Sequence, residues 1–273
     1  MPSQTEKSER FAALHARAGA FLIPNPWDAG SARMLTALGF EALATSSGAC
    51  AGTLGRRDGR ITRVEALEHA RHIVAATDLP VAADLEKGFG DTAEDAATTI
   101  RGAIDVGLVG GSIEDATGDP KTPLFDIDHA TRRIAAAVAA ARSAPFRFML
   151  TARAENFVRS NPDLDDTIRR LQAFEKAGAD VLMAPGLPDI EAVRKVCASL
   201  KRPFNFMVGI KGKSFSVADL AGAGVKRISL ATSLYRAAMT GLLDAAKEVK
   251  EAGTFGYLEH AIATPDFNAY MKS

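Results

Sequence analysis

The sequence predicts a (β/α)8 barrel. Eight short apolar runs of strand length alternate with longer amphipathic stretches along 273 residues, a length typical of this fold. Most of the runs are continuously apolar, which is typical of parallel strands that are covered on both faces. The predicted strands are Ala20–Pro24, Ala42–Thr45, Pro80–Ala83, Val109–Ile113, Phe146–Thr151, Val181–Ala184, Phe204–Val208 and Arg227–Leu230.

Helices are expected between these strands, because the intervening stretches carry apolar residues at helical spacing. Asp28, Thr62, Asp91 and Ser216 are the expected N-terminal caps. Three helices are expected to end at Gly39, Gly107 and Gly178. The predicted helices are Ala29–Leu38, Arg63–Thr77, Thr92–Val106, Asp126–Ala141, Asp165–Ala177, Asp189–Leu200, Ser216–Ala221 and Thr232–Glu251.

A doubly wound open sheet is the alternative fold. That fold usually carries a glycine-rich turn after its first strand, to bind phosphate. Here the first strand runs into Asn25-Pro26-Trp27-Asp28, which lacks that pattern. We therefore expect one barrel domain over residues 1–273, with the last helix and a C-terminal tail at 232–273. The irregular segments Gly48–Gly59 and Gly118–Asp126 are long enough to be active-site loops.

Composition excludes several classes of function. The formal net charge is zero, so nothing favours nucleic acid or an anionic membrane surface as a partner. No apolar stretch approaches the ~18 residues of a membrane span. The N-terminus lacks the apolar segment of a secretory signal, and two cysteines are too few for a disulfide framework. We expect a reduced, cytoplasmic protein without a membrane partner.

Carboxylates follow two neighbouring strands. Asp84 and Glu86 come after the third strand, and Glu114 and Asp115 come after the fourth. Active sites of these barrels lie at the carboxyl ends of the strands. Like charges held close together raise each other's pKa unless a cation neutralises them, and carboxylate oxygens favour Mg²⁺ or Mn²⁺ over Zn²⁺. The sequence therefore predicts a Mg²⁺ (or Mn²⁺) site there.

An ordered set of segments resembles the isocitrate lyase/phosphoenolpyruvate mutase superfamily, over roughly residues 20 to 235. Any one segment is weak evidence, but the ordered set is specific. The segments are Pro24–Arg33, Ala44-Thr45-Ser46-Ser47-Gly48, Leu54–Gly59, Val81–Gly90, Gly110–Asp115, Ala152-Arg153-Ala154-Glu155, Ala177–Asp180 and Leu220–Ser229.

The resemblance implies a role for each matching residue. Asp84, Glu86 and Glu114 are expected to form the metal site, partly through water, with Asp58 as an outer member. Arg153 is expected to face the substrate. The expected catalytic residues are Arg153, Asp58 and Glu114.

The substrate carboxylate is expected in the loop Ser46-Ser47-Gly48. Trp27 could wall the same pocket, besides packing under the loops. The common chemistry of the superfamily is a metal-stabilised enolate of an oxo acid. We therefore expect a lyase that cleaves or decarboxylates a small 2-oxo or 2-hydroxy carboxylate. The resemblance also implies a homo-oligomer, a dimer or tetramer, with the last helix exchanged between subunits.

The loop after the fourth strand departs from the best-defined members. Members that cleave isocitrate or methylisocitrate carry a cysteine there, and Glu114–Pro123 contains none. Phosphonate mutases carry a Lys and an Asn; Lys121 matches the Lys, but Pro123 stands in place of the Asn. Carbon–phosphorus chemistry on a phosphonopyruvate-like substrate and a non-catalytic keto-acid-binding barrel remain as alternatives. Lys211 is the alternative nucleophile, through a Schiff base.

Overall fold

The computed structural model describes residues 2–271, so Met1, Lys272 and Ser273, which belong to the predicted 1–273 domain, lie outside the described residues. Eight strands alternate with helices as predicted, and most boundaries fall within two residues of the expected ones. The strands are β1 (Phe21–Ile23), β2 (Leu43–Ala44), β3 (Val81–Asp84), β4 (Gly110–Glu114), β5 (Met149–Arg153), β6 (Val181–Met183), β7 (Phe204–Met207) and β8 (Arg227–Ser229).

The strands form one parallel barrel. Each strand from β2 to β7 pairs with the next one along the chain, and β8 pairs with β1. The remaining edge, between β1 and β2, is joined where the Ala44 amide donates to the Pro24 carbonyl at 3.0 Å. Just beyond it, the Asn25 side chain donates to the Thr45 carbonyl at 2.9 Å. The predicted (β/α)8 barrel is confirmed.

Helices pack around the outside of this barrel, and small and aliphatic side chains fill the layer between helices and sheet. The helices are α1 (Gln4–Ala16), α2 (Ala29–Ala37), α3 (Ser47–Thr53), α4 (Arg63–Ala75), α5 (Ala93–Asp105), α6 (Ile127–Arg142), α7 (Leu164–Lys176), α8 (Ile190–Ala198), α9 (Val217–Gly222), α10 (Ser233–Ala252) and α11 (Thr264–Tyr270). Within residues 2–271, no helix combines the length and apolar character needed to cross a membrane.

The predicted caps are confirmed with one exception. Asp28, Thr62 and Ser216 each accept a hydrogen bond from the backbone of the helix they precede. The cap of α5 is Thr92 rather than Asp91, because Thr92 and Asp95 form a reciprocal capping box. Asp91 instead accepts from Lys87 at 2.5 Å.

Helix α1 was not predicted, and it closes the amino-terminal end of the barrel. Its apolar contact is narrow: Phe11 and Leu14 pack against the inward side chains at the base of the strands. The Phe11 ring lies so close to β4 that a Cβ on Gly110 would come within 2.9 Å of it. The base of the barrel is therefore covered by the chain itself.

Helix α3 occupies the start of the segment 48–59, which was expected to be irregular. The Ser46 hydroxyl caps it by accepting from the Ala49 amide at 3.4 Å. Gly52 lies against Tyr235 of α10, where a Cβ would come within 2.6 Å of the ring. The small residues of this helix thus let it lie directly over the rim of the barrel.

Helix α10 is unlike the other long helices, because none of its residues is buried. Leu242 and Leu243 are 61% and 57% exposed. The tail that follows exposes further apolar side chains, including Phe255 and Leu258, although α11 returns to α2, where Arg33 donates to the Met271 carbonyl at 2.7 Å. An apolar face is left uncovered along this end of the chain.

Candidate active site

The charged residues predicted at the strand ends meet at the carboxyl-terminal rim. Asp84 ends β3, Glu114 ends β4 and Arg153 ends β5, and parallel strands place these ends on the same side of the barrel. They line a cavity of about 370 Å³. Also in its lining are Ser46, Ser47, Asp58, Glu86, Glu155, Arg159, Met207 and Thr232.

Arg153 lies between the carboxylates. Its guanidinium donates to Asp84 at 3.0 Å and to Glu155 at 2.8 Å, and it forms an ion pair with Glu114 at 3.2 Å. These carboxylates raise the pKa of Arg153 further above its usual range, against the opposing effect of burial. Arg153 therefore lies in the site as predicted, but its N–H donors already face carboxylates of the protein.

Glu155 and Arg159 belong to the site although neither was assigned a role from the sequence. Glu155 is buried, and Arg159 lies one turn further along, on the 3₁₀ turn after β5. Arg159 pairs with Glu155 at 3.3 Å and with Glu114 at 3.2 Å, while its own side chain is 45% exposed. The i, i+4 spacing of opposite charges after a strand end was the signal that could have identified them.

Ser47 joins two of the predicted carboxylates. Its hydroxyl lies 2.9 Å from Asp84 Oδ2 and 3.0 Å from Asp58 Oδ1, and its amide donates to the same Asp84 oxygen at 3.2 Å. A hydroxyl group has one hydrogen, so it can donate to only one of the two carboxylates. The contact between the Ser47 oxygen and the second carboxylate is favourable only if a proton or a cation lies between the two oxygens.

Glu86 is held in a strained backbone conformation. Its φ of 49° lies in the left-handed region, which costs a residue with a Cβ about 1–2 kcal/mol. One oxygen, Oε1, is buried without a hydrogen-bond partner in the described chain. Burial, together with the charges of Asp84 and Asp58, raises the pKa of Glu86 to about 7. Backbone strain and an unsatisfied acid at one position indicate a functional constraint.

Glu114 and Asp115 have different surroundings. Burial raises the pKa of Glu114, and the nearby Glu155 carboxylate acts in the same direction. Asp115 points away from the cavity, where it accepts from the Glu155 amide at 2.9 Å and from Arg170 at 3.0 Å. Asp115 therefore orients the loop after β5.

The lining carries five carboxylates and two guanidinium groups, a formal excess of three negative charges. That excess, the unpartnered oxygen of Glu86 and the crowded oxygens around Ser47 all fit a hard cation. In residues 2–271, however, no three acidic, histidine or cysteine side chains are arranged to enclose an ion. Glu114 instead pairs with Arg153 and Arg159. These residues fit a cation that binds one or two carboxylates and keeps its waters.

Of the other residues predicted to bind the substrate, Ser46 lines the cavity but Gly48 and Trp27 do not. Ser46 lines the cavity, and Gly48 lies behind it, where a Cβ would come within 2.8 Å of Thr232 and 3.2 Å of Asp58. Trp27 is not part of the cavity lining among the described residues. Its ring packs edge-on against Tyr235, with centroids 5.7 Å apart, which agrees with packing under the loops.

Neither Lys211, the alternative nucleophile, nor the thiol of Cys50 is in the cavity lining. Cys50 is 2% exposed, and burial raises the pKa of its thiol to about 11, so it is a poor acid or nucleophile at neutral pH. Lys211 is exposed beyond the end of β7. Within the described chain, the chemistry of the cavity therefore rests on carboxylates, guanidinium groups and hydroxyls.

Comparisons with known proteins show which family the chain resembles. Residues 11–250 match the phosphoenolpyruvate phosphomutase family. A solved structure from Burkholderia cenocepacia, described only in general terms as a lyase or mutase, is 49% identical, with a TM-score of 0.97 over 99% of this chain and 97% of that one. The 2-methylisocitrate lyase of Halalkalibacterium halodurans is 26% identical over 92% of this chain and 85% of its own length. The oxaloacetate decarboxylase of Chromohalobacter salexigens is 28% identical over 92% and 88%.

Proposed function

Because this chain belongs to the isocitrate lyase/phosphoenolpyruvate mutase superfamily, we propose that it is a Mg²⁺-dependent enzyme that cleaves or decarboxylates a small 2-oxo or 2-hydroxy carboxylate through an enolate. The chain is a carbon–carbon lyase of that superfamily. The cation, the intermediate and the choice between retro-aldol cleavage and decarboxylation are the proposed parts.

One observation carries the proposal: a cavity of about 370 Å³ at the barrel rim combines excess carboxylates with two guanidinium groups. The volume suits a small organic acid. The negative excess suits a divalent cation, and the arginines suit the negative charge that carbon–carbon cleavage places on the product oxygen. An apolar ligand site would lack both features.

Asp84 and Glu86 would hold the cation, with Asp58 and Glu114 acting through water. When bound, Mg²⁺ or Mn²⁺ would supply Lewis-acid stabilisation of the developing oxyanion. The Ser47 hydroxyl and amide fix the Asp84 carboxylate from one side, and Arg153 fixes it from the other. The residues of the chain thus hold the principal ligand in one orientation.

Arg159 is the cation best placed to meet an incoming carboxylate, because it is the more exposed of the two arginines. Ser46, which also lines the cavity, would contact the substrate. Arg153 is buried among three carboxylates, so it would stabilise negative charge at short range without leaving its position.

The test is a substrate panel with purified protein and Mg²⁺. Oxaloacetate, substituted malates, 2-methylisocitrate and phosphonopyruvate are each assayed for loss of substrate, with EDTA as the metal-free control. Mg²⁺-dependent release of a keto acid from any carboxylate in the panel supports the proposal. Turnover of phosphonopyruvate alone would show carbon–phosphorus chemistry instead. Stoichiometric binding without turnover across the panel would show a non-catalytic binding barrel.

We also propose that the chain forms a homo-oligomer through α10 and the tail. Leu242, Leu243 and Phe255 are each more than half exposed, although the helix is amphipathic. A contiguous apolar surface of this kind is typical of an interface between subunits. A second copy of the chain offers the same face, as a two-fold interface requires.

A further inference from the structure

Arg227 is a buried cation inside the barrel, well below the carboxylates of the rim. It lies on β8 and is 6% exposed. Its Nε donates to Asn205 at 2.8 Å and one terminal nitrogen donates to Thr151 at 2.8 Å. The other terminal nitrogen lies 3.4 Å from His15 of α1. All three partners are uncharged or can be uncharged.

His15 is the neutral partner. Its Nδ1 lies 2.8 Å from the Phe11 carbonyl, which can only accept, so Nδ1 carries the hydrogen and Nε2 is left as an acceptor facing Arg227. Burial lowers the pKa of His15 to about 3, and the positive charge of Arg227 acts in the same direction. The base of the barrel therefore solvates the Arg227 charge without neutralising it.

Two of the other buried arginines are balanced by acids, and a third, Arg133, donates to backbone carbonyls. Arg153 contacts three carboxylates, and Arg170 pairs with Asp115 and Asp166. Arg227 has no carboxylate partner in the part of the chain described, and burial alone lowers its pKa to about 9, which leaves it charged at neutral pH. A buried charge without a counter-ion is costly unless something else compensates it.

A small cavity lies above Arg227 and directly below the larger one. Its volume is about 60 Å³, which suits a few waters or one small anion. Arg227, Thr151, Asn205 and Ser229 line it, and Asp84 and Arg153 lie where the two cavities adjoin. The Asp84 carboxylate is already engaged by Arg153 and Ser47.

The hydrogen-bond directions leave donors in excess in this small cavity. Thr151 Oγ1 accepts from Arg227, and Ser229 Oγ accepts from Asn205 at 3.0 Å. Neither hydroxyl hydrogen has an acceptor among residues 2–271, and a guanidinium has five N–H groups, of which Arg227 uses three. Spare donors around an uncompensated positive charge match a negatively charged occupant.

We propose that this cavity is an anion-binding subsite for one small anion, of the size of chloride or a carboxylate group, held by Arg227, Thr151 and Ser229. The occupant has two conceivable sources: a free inorganic anion, or the distal carboxylate of a substrate that reaches down from the larger cavity. The second source rests on the proposed function; the subsite itself does not.

Crystals soaked in bromide test the site directly, because bromide replaces chloride and scatters anomalously. An anomalous peak in contact with Arg227 and Ser229 is expected. If soaks with oxalate or a 2-hydroxy-dicarboxylate remove the peak and place a carboxylate there, the substrate is the source; if the peak remains, the source is a free anion. Absence of both bromide and carboxylate would overturn the proposal, whether or not the protein has lyase activity.

A solution measurement separates a functional site from binding at crystal concentration only. The free energy of unfolding should rise with chloride by about 1.4 kcal/mol per ten-fold increase above the dissociation constant, at constant ionic strength set with a bulky anion. If chloride and the bulky anion raise the free energy of unfolding equally, the effect is charge screening alone. That result would contradict the proposal, even with a bromide peak in the crystal.

Variants complete the test. Ser229→Ala should weaken the apparent anion affinity about ten-fold, as expected for one hydrogen bond to a charged group, with the exposed Ser214→Ala as the matched control. Arg227→Met should abolish the chloride dependence; if that variant does not fold, Ser229→Ala still decides. Unchanged chloride affinity in Ser229→Ala would overturn its assigned contact.

Discussion

Arg153 at the end of β5 reaches past β4 to donate to Asp84 at the end of β3, across 3.0 Å. On the way it meets Glu114, its register partner on β4, at 3.2 Å. One side chain therefore ties three neighbouring strand ends together. The charge balance of the rim depends on that residue more than on any single carboxylate.

Replacement of Arg153 by Ala should reduce turnover by roughly 10²-fold or more, because a preorganised donor is lost. It should also destabilise the fold by about 3–5 kcal/mol, since Asp84, Glu114 and Glu155 lose a shared counter-ion. Steady-state kinetics and urea denaturation measure the two effects. Arg194→Ala, which removes an exposed arginine of α8, is the matched control and should change neither. A loss of stability with full turnover would mark Arg153 as structural only.

Two substitutions at Glu86 separate its charge from its backbone strain. Both Glu86→Gln and Glu86→Asn should lower metal affinity by at least about 10–100-fold, which is the cost of altering even the groups that orient metal ligands. Asn adopts the left-handed conformation more readily than Gln, so Glu86→Asn alone should relieve strain and raise the melting temperature by about 2–4 °C per kcal/mol recovered. Metal titration by calorimetry and thermal melts measure these effects. Unchanged Mg²⁺ affinity in both variants would exclude Glu86 as a ligand.

His15 should make the stability of the fold depend on pH. Its pKa is about 3 in the folded protein and near 6.5 when unfolded, so the unfolded chain binds the additional proton between those values. The contribution of His15 to stability should therefore be complete above about pH 6.5 and fall as pH decreases toward 3, by up to about 1.4 kcal/mol per pH unit. Urea denaturation at several pH values measures the slope.

His15→Gln should reduce that slope by about one proton, whereas His72→Gln should leave it unchanged, because His72 is exposed on α4. Equal slopes in the wild type and His15→Gln would contradict the neutral, buried assignment of His15.

The exposed face of α10 should hold subunits together. Light scattering should give a mass that is a multiple of 28.8 kDa, and Leu242→Glu with Leu243→Glu should shift it to the monomer. Val64→Glu places the same charge on a 76% exposed side chain of α4 and should not alter the mass. A monomeric wild type would refute the proposed interface.

The barrel was predictable because its strands are buried on both faces and therefore apolar throughout, as in β6. Helix α1 was missed because its contact face is too narrow to dominate a polar segment: Phe11 and Leu14 supply most of its apolar burial. Helix α3 was missed because its Gly- and Ala-rich sequence shows no helical period, and its position depends on the contact between Gly52 and Tyr235.

The site was predictable in content but not in arrangement. Parallel strands bring Asp84 and Glu114 to the same rim whatever their side chains do. Where each carboxylate points is decided by charge balance in three dimensions, and Arg153 takes the space between them. Arg227 escaped notice because an arginine beside an apolar strand usually marks a solvated strand end, and only the packed barrel shows it facing inward.

Helix α1 covers the base of the barrel, so ligands cannot enter or leave at that end. With that end closed, reactant and product share the opposite opening, and the deeper chamber above Arg227 lies behind the upper one. A free anion in the small cavity would therefore bind before the substrate and leave after the product. Helix α1 would thus set the order of binding and release, although its residues do not touch the reacting molecule.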